Sequence, residues 1–472
     1  MNSDELAYSP ALEQARLIRE GELSPLELTE VCLERINHLD PQFHSFFLVL
    51  ADQAREEAKR KTEELAMRGA DADPLPPFFG VPISVKDLTP MAGLPCTYGL
   101  HILRDRLANV DAGVVQRVRE AGFTILGKTA TSQIGSSPFT EPRGFPPTRN
   151  PWNPDYTPGG SSGGAAASLA AGFSAVALAT DGGGSIRGPA YCCGLVGIKP
   201  SRGRVSHAPL GEKMSGLSID GPLARTVADA AALLDVISGY IPGDPYFLPD
   251  PPVTFLEATK KPLGSLRIGM IHEVNPLGSV DAIGQAAMDQ MAQRLEALGH
   301  KVEPYTVDFS ALVEPMITVW QAGVDMGVPW IFLDKLNRWL RWRSRRKSGG
   351  DYLRALMKIQ TAARDLVIKF SPYDVILMPV YLHHTIHVGE WRRLSAPKMF
   401  EKILHWVAPS PPINTTGQPA IALPTHIAPD GLPTGVQLVG RLADEVTLIA
   451  LAAQLEEAYP WTHRAPIGDT AK

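Results

Sequence analysis

The strongest constraint on this chain is a recurring pairing of short apolar runs with glycine. Residues 81–85 (VPISV), 123–126 (FTIL) and 173–180 (FSAVALAT) each follow a glycine, and helical stretches separate them. A strand with one wet face alternates apolar and polar residues, whereas one covered on both faces reads as a continuous apolar run. The pattern therefore predicts an α/β fold with a buried sheet. Two dense clusters add to it: PGGSSGGAAASLAAG at 158–172 and ALATDGGGSIRGPA at 177–190. Consecutive glycines let the backbone approach other groups closely and let several N–H groups converge on one point.

The first 70 residues read as a helical apron. Ser24, Pro25 and Glu27 supply an N-cap, a first-turn proline and a capping-box partner. Residues 79–240 hold the glycine clusters and are read as the catalytic core. A strand at 265–271, a helix through Met288, Met291 and Leu295, and a strand from Lys301 make a βαβ unit. Residues 310–370 read as mostly helical and 374–380 as a strand. The stretch that follows, rich in His and Trp, reads as irregular to about 410. We take 310–410 as the variable, substrate-facing part. Residues 416–441 read as two strands joined across Asp430–Gly431, ahead of a helix through Leu448, Leu451 and Leu455. With no repeat and no linker, residues 1–472 are expected to form one large domain with a central mixed, twisted sheet flanked by helices on both faces.

Composition excludes several classes. Lys plus Arg total 45 against 50 Asp plus Glu, a net charge of −5 that gives no electrostatic drive toward nucleic acid. The first residues are acidic and lack an apolar signal core, and no run of 18 uncharged apolar residues occurs. A cytoplasmic protein without a membrane span is expected, with a homodimer left open. The four cysteines, Cys32, Cys96, Cys192 and Cys193, lack CxxC spacing and read as buried thiols. His383, His384 and His387 have no acidic or Cys partner at ligand spacing, so neither a metal nor a cofactor is expected.

Three short motifs match by letter only. Gly122–Thr129 satisfies GxxxxGKT, but its intervening residues form a strand where a phosphate loop is required. Gly159–Gly163 satisfies GxSxG, but prolines 151, 154 and 158 preclude the strand that must lead into a nucleophile elbow. Ser395 and Lys398 satisfy SxxK, with Pro397 expected to break the helix that motif needs. The basic run at 338–347, with Trp339 and Trp342 inside it, reads as a solvated helix end.

A constellation spread along the chain carries more chemistry. Gly182, Gly183, Gly184 and Ser185 follow an apolar strand, as a serine nucleophile with an oxyanion hole would require. Ser161 lies in the serine-glycine stretch, and Lys86 ends an apolar strand instead of lying on a charged surface. A lysine so placed is either a snorkelling surface group or a desolvated base. Together these segments closely resemble the amidase signature family, with 75 residues from Lys86 to Ser161 and 24 from Ser161 to Ser185. Further matches are AGFTILGKT, NPWNP, CGLVGIKPSRGRVS, DGPLARTVADAA and NTTGQPAIALP with DGLPTGVQLVG, so the resemblance runs from about residue 10 to 460.

The resemblance implies an amidohydrolase that cleaves a carboxylic amide to acid and amine through an acyl-enzyme on Ser185. Lys86 would be the base, acting through Ser161 after a cis Gly160–Ser161 peptide, with ester or carbamate cleavage as a side activity. Backbone N–H groups of Gly182, Gly183, Gly184 and Ser185 would hold the oxyanion, and Ile134 and Gly135 would line the acyl pocket. Asp181 and Arg187 are expected to form a supporting ion pair. Trp320, Trp330, Trp391 and Trp406 are candidates for an aromatic wall or for the core. The glutaminase subunit of a tRNA-dependent amidotransferase is the alternative. It is lowered by Ala130, Thr131, Ser132 and Gln133, where that subunit typically carries an Asn, Met, Asp, Glu run. A nucleotide-binding or non-catalytic protein is the alternative of another class.

Overall fold

The apolar runs form three neighbouring strands in one half of a large sheet. In the computed structural model, which describes residues 1–68, 73–461 and 463–467, the strands are β1 (Phe46–Val49), β2 (Pro82–Lys86), β3 (Thr124–Thr129), β4 (Val176–Asp181), β5 (Val196–Lys199), β6 (Ile219–Ala224), β7 (Arg267–Met270), β8 (Glu273–Val274), β9 (Gly278–Ser279), β10 (Lys301–Pro304), β11 (Val375–Pro379), β12 (Ala420–Ile427) and β13 (Pro433–Gly440). β8 and β9 make a small ribbon. The other eleven pair in the order β1-β3-β2-β4-β6-β5-β12-β13-β11-β7-β10. β3, β2 and β4 run parallel, as do β11, β7 and β10. The remaining neighbours are antiparallel, which makes the sheet mixed, as expected.

Every residue of β2 to β6 is buried. Along β4, Val176 and Leu178 pack into one core cluster, while Ala177 and Ala179 pack into another with Leu169, Ile186 and Ala190. Alternate residues point to opposite faces, so both faces of this strand are covered. That double coverage is why the runs are apolar throughout. Among the described residues no helix is long and apolar enough to cross a membrane.

Local signals act as read at several places. Ser24 caps the helix Pro25–Phe43 in a reciprocal capping box with Glu27. β7 and β10 are parallel around the helix Ala282–Ala297. β12 and β13 pair across Asp430–Gly431, with Gly431 at φ 83°. The final helix is Glu445–Ala458, and all four cysteines are free and buried.

Three expectations require correction. The helical apron contains β1, which pairs with β3 at the sheet edge; its four half-buried residues carry no alternation that could betray a strand. The stretch read as irregular to about 410 contains the helix Ala396–Val407. Pro397 sits in its first turn, where a missing N–H costs nothing, so proline does not break this helix. Ser395 and Lys398 are both exposed. GKT lies within β3, wholly buried and without a phosphate-binding loop.

Candidate active site

β2 and β4 are parallel neighbours, so Lys86 at the end of one lies beside Thr180 and Asp181 at the end of the other. The carboxyl edge of such strands is where α/β proteins gather their functional groups. The serine-glycine stretch crosses the same edge and enters the helix Gly163–Ala170 directly after Ser162. The Gly160–Ser161 peptide is cis. A Cβ at Gly164 would lie 2.3 Å from the Ala130 backbone nitrogen, so only glycine lets this helix start so close to the segment after β3.

Lys86 is fully buried and meets hydroxyls. Its Nζ lies 2.7 Å from Ser161 Oγ, 2.7 Å from Ser162 Oγ and 2.8 Å from Thr180 Oγ1. Ser162 Oγ in turn donates to Thr180 O at 3.2 Å. Burial drives the amine well below the ordinary lysine range; Asp181 and Asp220 push it back up in part, and Lys213 lowers it further. Sequence reading missed Ser162 and Thr180. Their only signal was adjacency to Ser161 and to the Asp181 of TDGGGS.

Asp181 is the hub beneath the glycine loop. Arg187 grips it with Nε and Nη2, each at 3.0 Å, and reaches Gln437 Oε1 at 2.7 Å and Asn414 Oδ1 at 2.6 Å. Burial would raise the Asp181 carboxyl, but Arg187 and Asn414 outweigh it and hold the group well below the usual carboxylate range. The expected ion pair is present. One candidate oxyanion donor is changed by the same carboxylate: the Gly184 N–H donates to Asp181 Oδ1 at 2.6 Å, which turns it away from the cavity. Gly184 has φ +117°, and a Cβ there would lie 2.7 Å from that of Ser410. The N–H groups of Gly182, Gly183 and Ser185 have no hydrogen-bond partner among the described residues.

A cavity of about 330 Å³ brings Ser161, Ser185, Thr180, Gly182 and Gly183 to one wall. Ile134 and Gly135 also line it. Ile134 adopts φ 58°, held by its N–H donating to Tyr98 O at 2.7 Å, and a Cβ at Gly135 would lie 3.4 Å from Ser161 Oγ. Of the four tryptophans only Trp320 lines this cavity, its ring 2.8 Å from where a Gly183 Cβ would stand. Trp391 and Trp406 are core residues and Trp330 is exposed. Sequence reading also missed Lys213 and Met214, which line the cavity from the segment before β6. A second cavity, about 420 Å³, opens beyond Ser137 against Phe139 and Trp391 and is lined by none of Lys86, Ser161 and Ser185.

The remaining candidates are placed elsewhere. Gln133 ties the segment after β3 to the helix Lys335–Ser344, accepting from Asp334 N at 2.7 Å and donating to Phe332 O at 3.1 Å. Arg341 and Arg345 of the basic run pair with Asp325, and Arg346 stacks 3.9 Å over Trp342. Among the described residues no three His, Cys, Asp or Glu side chains are grouped to hold a metal ion.

The chain matches the Amidase family over residues 27–449. A Synechocystis sp. chain whose name places it among the amidases is 47% identical over 448 residues, covering 95% of this chain and 88% of its own length. The 6-aminohexanoate-cyclic-dimer hydrolase of Paenarthrobacter ureafaciens is 34% identical over 491 residues, covering 97% and 96%. The solved structure of a 6-aminohexanoate cyclic dimer hydrolase superposes with a TM-score of 0.90 at 32% identity, covering 98% of this chain and 99% of the other. A bacterial aryl acylamidase of the amidase signature family superposes at 0.87 with 26% identity, covering 98% of each chain. With the family match, these relatives and one continuous fold, the chain belongs to the amidase signature family and is an amide-hydrolysing enzyme.

Proposed function

We propose that the protein cleaves a carboxylic amide through an acyl-enzyme on Ser185, with Lys86 as the base and Ser161 as the proton carrier between them. The observation that carries this reading is a fully buried lysine amine 2.7 Å from Ser161 Oγ, in the wall of the cavity that Ser185 also lines. A neutral amine has two hydrogens and one lone pair. Ser162 spends its own proton on Thr180 O, so it must accept from Lys86, and Thr180 Oγ1 takes the second hydrogen. The lone pair is left for the Ser161 proton.

Ser185 Oγ attacks the acyl carbon and yields its proton to Ser161, which passes its own to Lys86. The carbonyl oxygen becomes an oxyanion against the N–H groups of Gly182, Gly183 and Ser185, each such donor being worth about 3 kcal/mol in other enzymes. Reversing the relay protonates the leaving amine, and water then releases the acid by the same path. Esters and carbamates enter the same chemistry as side substrates.

The cavity favours an uncharged, apolar acyl group. Leu88, Ile134, Trp320 and Val324 form its walls, and Leu210 and Met326 stand half-exposed where it opens. Its lysine, Lys213, is already paired with Asp220 at 2.8 Å, which leaves no free ammonium there for the carboxylate of a glutamine. The names of the cyclic-dimer hydrolase and the aryl acylamidase agree with such a substrate. Hydrolysis of hexanoyl and benzoyl 4-nitroanilides by the wild type, absent in Ser185→Ala, is the expected result. Equal turnover by the two proteins would overturn the nucleophile.

A further inference from the structure

We propose that Asp220 is a positioning residue for the Lys86 base, fastening the substrate-cavity wall to the strand beside it; this rests on the reading of Lys86 as base. Asp220 lies on β6 directly opposite Thr180 of β4. Directly opposed residues of an antiparallel pair place their side chains on one face, so Asp220 stands beside the threonine that receives a hydrogen from Lys86. The Asp220 side chain is 2% exposed. One of its oxygens does two tasks: Oδ2 accepts from Lys213 Nζ at 2.8 Å and faces His207 Nδ1 at 2.9 Å. The other oxygen, Oδ1, is buried and has no hydrogen-bond partner among the described residues.

Those two contacts hold a whole segment. His207 begins the stretch that leads into β6, and its Nε2 lies 2.9 Å from Ser218 O. Between them Leu210, Glu212, Lys213, Met214 and Ser218 line the cavity. A single carboxylate thus grips the substrate wall and stands opposite Thr180, the residue whose hydroxyl meets Lys86. Burial would raise its carboxyl, but Lys213 and His207 hold it well below the usual carboxylate range, so it stays charged.

Three charged groups act on Lys86: Asp181 from β4, Asp220 from β6 and Lys213 from the cavity wall. Asp181 is committed to Arg187, which leaves the Asp220–Lys213 pair as the adjustable one. A negative charge nearby favours the ammonium and a positive one favours the amine. Removing Asp220 therefore lowers the pH at which Lys86 becomes a base, and removing Lys213 raises it.

The test is the pH profile of kcat/KM on a hexanoyl 4-nitroanilide for wild type, Asp220→Asn and Lys213→Gln. The acid limb should move to lower pH in Asp220→Asn and to higher pH in Lys213→Gln, by roughly half a unit or more each. KM should rise in both as the wall loosens. Both variants break the same ion pair, so a merely structural role would move the limbs together or leave them in place, and either result overturns the proposal. If Asp220→Asn does not fold, Lys213→Gln decides alone: an upward shift supports the proposal, and none or a downward one overturns it. Lys86→Met separates the two readings. Full activity in that variant sinks the base itself, while an inactive Lys86→Met with limbs that fail to diverge sinks only the role of Asp220.

Discussion

Two lysines lie side by side in the sheet and are buried equally, yet they are different chemical objects. Lys86 ends β2, and Lys128 lies one residue before the end of β3, pointing to the opposite face because its neighbour Thr129 is the residue in register with Lys86. Lys128 Nζ sits 2.8 Å from Asp87 Oδ1 and donates to Thr89 O at 2.9 Å. Asp87 is itself tied down, accepting from Thr97 N at 3.0 Å. Lys86 has three hydroxyls and no ion-pair partner among the described residues. Burial alone therefore does not fix the chemistry of a lysine. Three hydroxyls do not repay the desolvation of an ammonium as a carboxylate would, so burial lowers the pKa of the Lys86 amine.

The sharpest way to break this comparison is to replace each lysine by methionine. Lys86→Met should lose about a thousandfold or more in amide hydrolysis while its thermal midpoint at neutral pH does not fall below wild type, because the apolar chain carries no cost of burying an ammonium. Activity within tenfold of wild type would equate the two lysines. Lys128→Met should instead cost about 3–5 kcal/mol in denaturant unfolding, since the buried Asp87 charge is left unpaired. Asp87→Asn combined with Lys128→Met should recover much of that loss. No recovery would mean that the pair is held for some reason other than charge.

A smaller effect concerns stability against pH. The unfolded chain binds a proton at each lysine up to about pH 10.4, whereas folded Lys86 gives its proton up at lower pH. Between those two values the unfolded state holds more protons, so wild-type stability should rise with pH, by up to about 1.4 kcal/mol per unit for one group. Lys199, lowered to about 7 by burial and then by Arg187, contributes a similar rise. It is present in both proteins, so the difference between wild type and Lys86→Met isolates Lys86. Parallel curves for the two would show that Lys86 is charged when folded.

Much of this was legible in the sequence, and the reasons are local. Continuous apolar runs marked β2, β3 and β4, a capping box marked the helix after Ser24, and an Asp-Gly turn marked the last hairpin. Lys86, Ser161 and Ser185 were singled out through segments separated in sequence but matching one family pattern. What stayed hidden depends on contacts between distant positions. Ser162 and Thr180 look like ordinary polar residues until two strands and a loop converge on one amine. The Gly184 N–H looked like an oxyanion donor because sequence does not show Asp181 folding back beneath it. β1 is too short to show a period, and Pro397 was misread because its position in a helix depends on where that helix begins.

The most direct test of Lys86 as the base for Ser185 is phosphonylation by a fluorophosphonate at pH 7, followed by intact mass and peptide mapping in wild type and Lys86→Met. The Ser185 Oγ–P bond forms, the P–F bond breaks with loss of fluoride, and the serine proton must pass to Lys86, so no substrate fit intervenes. Wild type should take one label, on Ser185, and Lys86→Met should react at least about a hundredfold more slowly. Equal rates in the two proteins, or a label on a different serine, would contradict the assignment.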